Sequence, residues 1–326
     1  SGSNFLKLLF GIKNILLIIF LYFILFTNSS NAKNCLSFLP YGFNEAYVHL
    51  PQSTSFCVKE GKKKYFYQTD NYGGRLLNNK ISDKVIQIFG DSQVLGLGLD
   101  KIEQHYLNNL YKNYNFVLYA APNNGPYEVI NFLNKNKEIL QKKIIVTFNF
   151  STDIYRVSDF WKPQNYVALK DYDLNEILQS PFKYRFIIFK NFLLNKNFTI
   201  SRNDNNKMQK LFINSDKIEF KNNLIKYFEI LNKTANKLDI EIEFIITHPY
   251  WIYSFDKKNR KLELNKDLNI EVEKLICKSF VLNQRIDRIF ISNVPEKLNL
   301  DDLTSDRRHL RSTKIKLTNF NKFFKN

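Results

Sequence analysis

The chain reads as an α/β protein built on a doubly wound parallel sheet, and three observations predict it. Five short runs rich in β-branched and aromatic residues fall at 85–89, 116–119, 144–148, 241–247 and 288–291. Longer stretches of helical periodicity separate or follow them, at 100–111, 127–140, 215–238, 264–280 and 313–324. Strands that alternate with helical segments are the pattern of parallel pairing through crossover helices. Third, 44% of the 326 residues are hydrophobic and 15% aromatic, which supplies a sizeable core and excludes a disordered polymer.

Each element has a local reason. The runs at 85–89, 144–148 and 241–247 hold few charges over five to seven residues, as strands covered on both faces do. The helical segments place apolar residues at the three-and-four spacing of a helix face. Residues 33–84 read as an irregular N-terminal extension, with Pro40, Pro51, the run Lys62-Lys63-Lys64 and Gly73-Gly74. Residues 155–214 interrupt the alternation and read as an insertion after the third strand, helical around 184–194. The main domain is thus 85–326.

Residues 1–32 form a leader. Lys7 and Lys13 precede the apolar run 15–26, which is followed by small polar residues and Ala32. This order fits a secretory signal cut after Ser30-Asn31-Ala32, and it also fits an uncleaved membrane anchor. In both cases the cations lie before the apolar run, so the domain is expected outside the cytoplasm, facing or secreted to the periplasm. In an oxidising compartment Cys35 and Cys57 can pair, with Cys277 left as a buried thiol; three free cysteines are the other reading.

The net charge of +17 comes from 38 Lys and 10 Arg scattered along the chain. With no basic helix and no zinc-ligand spacing, nucleic acid is not expected as a partner, nor is a metal. Attraction to anionic lipid or acidic glycan suits the charge better.

In doubly wound sheets, function gathers at the carboxyl ends of the strands. After the first strand comes Gly90-Asp91-Ser92-Gln93; after the second, Ala121-Pro122-Asn123-Asn124-Gly125; after the third, Asn149-Phe150-Ser151-Thr152-Asp153; and after the fifth, Asp306-Arg307-Arg308-His309. A serine hydroxyl becomes a nucleophile when a base takes its proton, and a base needs its second nitrogen held. Asp and His three apart on one turn can supply base and orienter together. His248, in Thr247-His248-Pro249, is a rival base that reads better as a wall residue, and His49 and His105 read as surface residues.

These blocks, over about 85–324, resemble the SGNH, or GDSL, hydrolase superfamily, and Thr69-Asp70-Asn71-Tyr72-Gly73-Gly74-Arg75 looks like a lead-in of its bacterial members. The resemblance implies a three-layer, flavodoxin-like sheet of about five parallel strands and no cofactor. It further implies Ser92 as nucleophile, His309 as base, Asp306 as its orienter, and an oxyanion hole from the Ser92 and Gly125 backbone N–H groups. The family's third block usually reads Gly-x-Asn-Asp; here Thr152 stands where the Asn belongs, and Asn149 lies three residues earlier. Either can serve as third donor, or the donor is missing. The expected activity is cleavage or transfer of an acyl ester, an O-acetyl group on an envelope or surface glycan. A lipid ester is the alternative substrate, and a catalytically weak binding or scaffold subunit the alternative role.

Overall fold

The computed structural model describes residues 35–36, 39–43, 47–60, 63–78, 83–96, 98–99, 101–122, 124–157, 204–256, 261–299, 302 and 314–323. The leader 1–32 and the helix expected around 184–194 lie outside them.

All five expected strands are present: β6 (Val85–Gly90), β7 (Asn115–Ala120), β8 (Lys143–Asn149), β9 (Glu241–Thr247) and β12 (Arg288–Ser292). They pair in parallel in the spatial order β7-β6-β8-β9-β12. Counted among the five this is 2-1-3-4-5, the order of one of the two common doubly wound sheets. Two antiparallel edge strands, β5 (Arg75–Leu77) against β7 and β14 (Leu317–Asn319) against β12, extend it to seven.

Alternate residues of each strand enter opposite cores. Ile144, Val146 and Phe148, with Ile242, Phe244 and Ile246, pack under α1 (Pro126–Lys135), α4 (Lys217–Leu238) and α5 (Lys266–Ser279). Ile86, Ile88, Ile145 and Ile245 face the other side, with Val94, Ile102, Leu107 and Ile315. The helices start where polar side chains supply caps: Asp216 accepts from Ile218 N–H and Asn265 from Leu268 N–H. Along α4 the buried set Phe220, Leu224, Tyr227, Phe228 and Leu231 forms one stripe. Each such side chain, fully buried, stabilises the fold by about 1.5–3 kcal/mol.

Three readings are corrected. The expected helix at 100–111 is two 3-10 turns, Ile102–Gln104 and Tyr106–Asn109, because His105 adopts an extended backbone between them (φ −77°, ψ 134°). Of the terminal helix expected at 313–324 only the short α6 (Phe320–Phe323) forms, and strand β14 (Leu317–Asn319) precedes it. Ile315 and Leu317 repeat at two, not at three or four, which is the strand period. Residues 33–84 are not irregular: they hold β1 (Gly42–Phe43) with β2 (Val48–His49), the ribbon β3 (Ser55–Glu60) with β4 (Lys63–Gln68), and the edge strand β5.

Helix α2 (Phe150–Arg156) follows β8 and runs into the start of the stretch read as an insertion, and α3 (Asp204–Asn214) closes that stretch. A small antiparallel sheet, unforeseen, joins β10 (Tyr253–Asp256), β11 (Lys261–Leu264) and β13 (Lys297–Asn299) beside the carboxyl end of β9. No described helix is long and apolar enough to cross a membrane.

Cys35 and Cys57 form a disulfide with Cα atoms 4.6 Å apart, and Cys277 is a half-buried free thiol on α5 rather than a fully buried one. The bridge closes a loop of 22 residues in sequence separation. On chain-entropy grounds Cys35→Ser with Cys57→Ser should cost about 3 kcal/mol in a denaturant titration of the oxidised protein. A loss below about 0.5 kcal/mol would show that the ribbon unfolds apart from the sheet.

Candidate active site

Strand β6, in the interior of the sheet between β7 and β8, ends at Gly90, where a Cβ would collide with Thr147 Oγ1 and lie 2.6 Å from Val94 Cγ2. Only glycine lets β8 and the following turn approach this closely. The chain then doubles back: Val94 and Leu95 N–H both donate to Asp91 O (3.1 and 3.2 Å), and Gln93 N–H donates to Asp91 Oδ1 (2.8 Å). Ser92 sits half-exposed at the crest of this turn.

The turn is pinned from below by two residues whose roles the sequence did not show. Arg75, wholly buried on β5, donates to the carbonyls of Leu95 and Gly96 (2.8 Å each) and Leu99 (2.5 Å), with its guanidinium 4.0 Å over the Tyr67 ring. His105 is also buried, not on the surface, and His49 is half-buried. Leu107 N–H donates to His105 Nδ1, so Nε2 carries the proton and donates to Val94 O at 2.8 Å. Burial lowers the His105 pKa to about 4 and keeps the ring neutral. Just ahead of Arg75, the Asp70 carboxylate accepts from Tyr72 N–H, Gly74 N–H and Tyr119 O–H.

Asp91 is buried and ties the first loop to the third. Its Oδ2 accepts from Asn149 Nδ2 at 2.8 Å and lies 3.5 Å from Thr152 Oγ1. Asn149 Oδ1 caps α2 through Ser151 N–H, and Asn149 N–H donates to Asp153 Oδ2. Both candidate third donors therefore lean on Asp91.

The second loop is tied in by Arg156, whose Nη1 donates to Asp153 Oδ1 (2.9 Å) and to Asn124 O (2.8 Å). Burial pushes the Asp153 carboxyl upward, against the pull of Arg156. Asn124 Nδ2 reaches back to Gly90 O at 3.0 Å. Gly125 is the N-cap of α1, and its N–H donates to Glu128 Oε2 at 3.1 Å. To hold an oxyanion, that N–H has to leave the carboxylate.

Beside this cluster lies a cleft of about 450 Å³, counted out to its open mouth, lined by Gln93, Asn149, His248, Tyr250, Ser292 and Ile315 among others. His248 N–H donates to Ser292 Oγ at 2.8 Å, and burial lowers the ring's pKa to about 4, which suits a neutral wall residue. Asp306 and His309 lie outside the described residues. The residues flanking their segment meet: Lys314 Nζ pairs with Asp302 Oδ1 at 2.9 Å. Ile315 lines the cleft, and Lys316 exchanges two hydrogen bonds with Asn293 (2.7 and 2.8 Å). Among the described residues no cluster of His, Cys, Asp or Glu could hold a metal ion.

No protein-family model matches the chain, and no curated protein matches it.

Removing the Asn149 side chain leaves Asp91 Oδ2 short of its nearest donor in a buried setting. Asn149→Ala should therefore destabilise the fold by about 1.5–3 kcal/mol in a denaturant titration, whereas Thr152→Val, at the longer contact, should cost less than about 1 kcal/mol. The reverse ranking would mean that Thr152 is the main partner of Asp91.

Acid sensitivity follows from the two buried imidazoles. His105 and His248 ordinarily titrate at 6.5, as in the unfolded chain, and at about 4 in the fold. Their contribution is complete above 6.5 and is lost as pH falls towards 4, because the unfolded chain takes up protons first. The unfolding midpoint should drop across that window, and His105→Gln should shrink the drop. A flat profile would show that the folded chain accepts the protons.

Proposed function

We propose that the chain is a serine-dependent acyl-ester hydrolase or O-acyltransferase of the SGNH type, acting on O-acetyl groups of an envelope or surface glycan. The observation that carries this reading is Ser92 at the crest of a braced turn, on the exit of the interior strand β6, with loops two and three hydrogen-bonded to that exit. The 2-1-3-4-5 strand order and the place of Ile315, shortly after Asp306-Arg307-Arg308-His309, in the lining of the cleft support it. The Cys35–Cys57 bridge favours an oxidising, extracytoplasmic compartment.

In this reading Ser92 Oγ attacks the acyl carbonyl carbon and its proton passes to His309, oriented by Asp306. The sugar oxygen leaves with that proton as the carbonyl re-forms, giving an acyl-Ser92 ester. Water then attacks in a hydrolase, and a second sugar hydroxyl in a transferase; His309 takes the attacker's proton and returns one to Ser92 Oγ. The tetrahedral oxyanion is held by the Ser92 N–H, by the Gly125 N–H once Glu128 releases it, and by Asn149 or Thr152. One such donor is worth about 2.7–4 kcal/mol in a related type of hole.

A catalytically weak binding subunit is the second reading, favoured because Asn149 Nδ2 is held by Asp91 and Gly125 N–H by Glu128. A fluorophosphonate probe separates the two. Ser92 should be labelled in the parent chain, not in a folded Ser92→Ala variant, and on the order of 10³-fold more slowly in His309→Ala. Absence of labelling in the folded parent would establish the binding subunit.

A further inference from the structure

The ribbon β3–β4 carries a feature that the acyl chemistry does not use. Tyr65 and Tyr67 turn inward and are buried, whereas Phe66 between them is 69% exposed. On the same outward face, two residues further along each strand, Lys59 stands directly opposite Lys64. Like charges directly opposite are destabilising in an antiparallel pair. Neither lysine is in an ion pair with a described side chain.

The ribbon is also tethered. Phe66 is the cross-strand partner of Cys57, which is bonded to Cys35. Cys35 in turn follows the end of the apolar run at Phe26 by nine residues, which reach at most about 30 Å when extended.

We propose that this face of the ribbon rests on an anionic lipid surface, with the Phe66 ring in the interfacial layer and Lys59 and Lys64 among the headgroup phosphates. The proposal rests on the reading of residues 15–26 as a retained membrane anchor and is independent of the acyl chemistry. The short tether holds the ribbon near the bilayer, the lysines supply attraction that acts within about 8–10 Å, and an exposed aromatic ring suits the interface. An anionic glycan would use the lysines but leave the ring without a partner.

The test reconstitutes the full chain into phosphatidylcholine vesicles with or without phosphatidylglycerol, both with brominated acyl chains. Phe66→Trp adds an indole to the background of Trp161 and Trp251. In the phosphatidylglycerol vesicles most of the added emission should be quenched, and Lys59→Glu with Lys64→Glu or high salt should restore it. Equal quenching in neutral vesicles would overturn the anionic requirement. A chain that floats with vesicles and shows no added quenching would overturn the ribbon contact alone, and one whose ribbon instead binds dextran sulfate would point to an anionic polymer. A chain that does not float with the vesicles at all would overturn the anchor reading and the contact together.

Discussion

The guanidinium of Arg75 lies in the interior, with no exposure to water, and three carbonyl oxygens of the segment after Ser92 accept its protons. A buried cation is costly unless its donors are satisfied, so the carbonyls of Leu95, Gly96 and Leu99 have to point inward together. His105 adds a fourth inward carbonyl, that of Val94. With four carbonyls of that segment committed, the turn that carries Ser92 has little freedom to relax. The break between the two 3-10 turns follows from the same constraint, because His105 leaves the helical backbone at the position where its ring reaches Val94.

From above, the turn is held by Asp91, and here the geometry of the sheet decides the partners. In the sequence Asp91 and Asn149 are 58 residues apart, but β6 and β8 are parallel neighbours, so their exits lie side by side. Asn124 and Arg156 complete the circuit between the first, second and third loops. The site is therefore one connected hydrogen-bonded unit, and losing one member leaves a buried polar atom behind.

The N-terminal strands belong to the same system. β5 brings Arg75 under the Ser92 turn, and the ribbon before it supplies Tyr67, the ring on which Arg75 lies. The disulfide constrains the far side of that ribbon. A segment that reads as an extension thus braces the candidate site, while its outward face remains available for a surface contact.

The five parallel strands were legible because each is a short apolar run bounded by polar residues, and strand period and burial act within a few residues. So was the position of Ser92, since a strand exit in this architecture lies at the functional edge whatever the rest of the chain does. The edge strands were not legible in advance: Arg75–Leu77 is three residues long, and only the free edge of β7 makes it a strand. Neither were the burial of Arg75 and His105 or the hold of Asp91 on Asn149. Each of these depends on a partner distant in the chain, and the folded sheet chooses that partner by bringing strand exits and edges together, which no local pattern records.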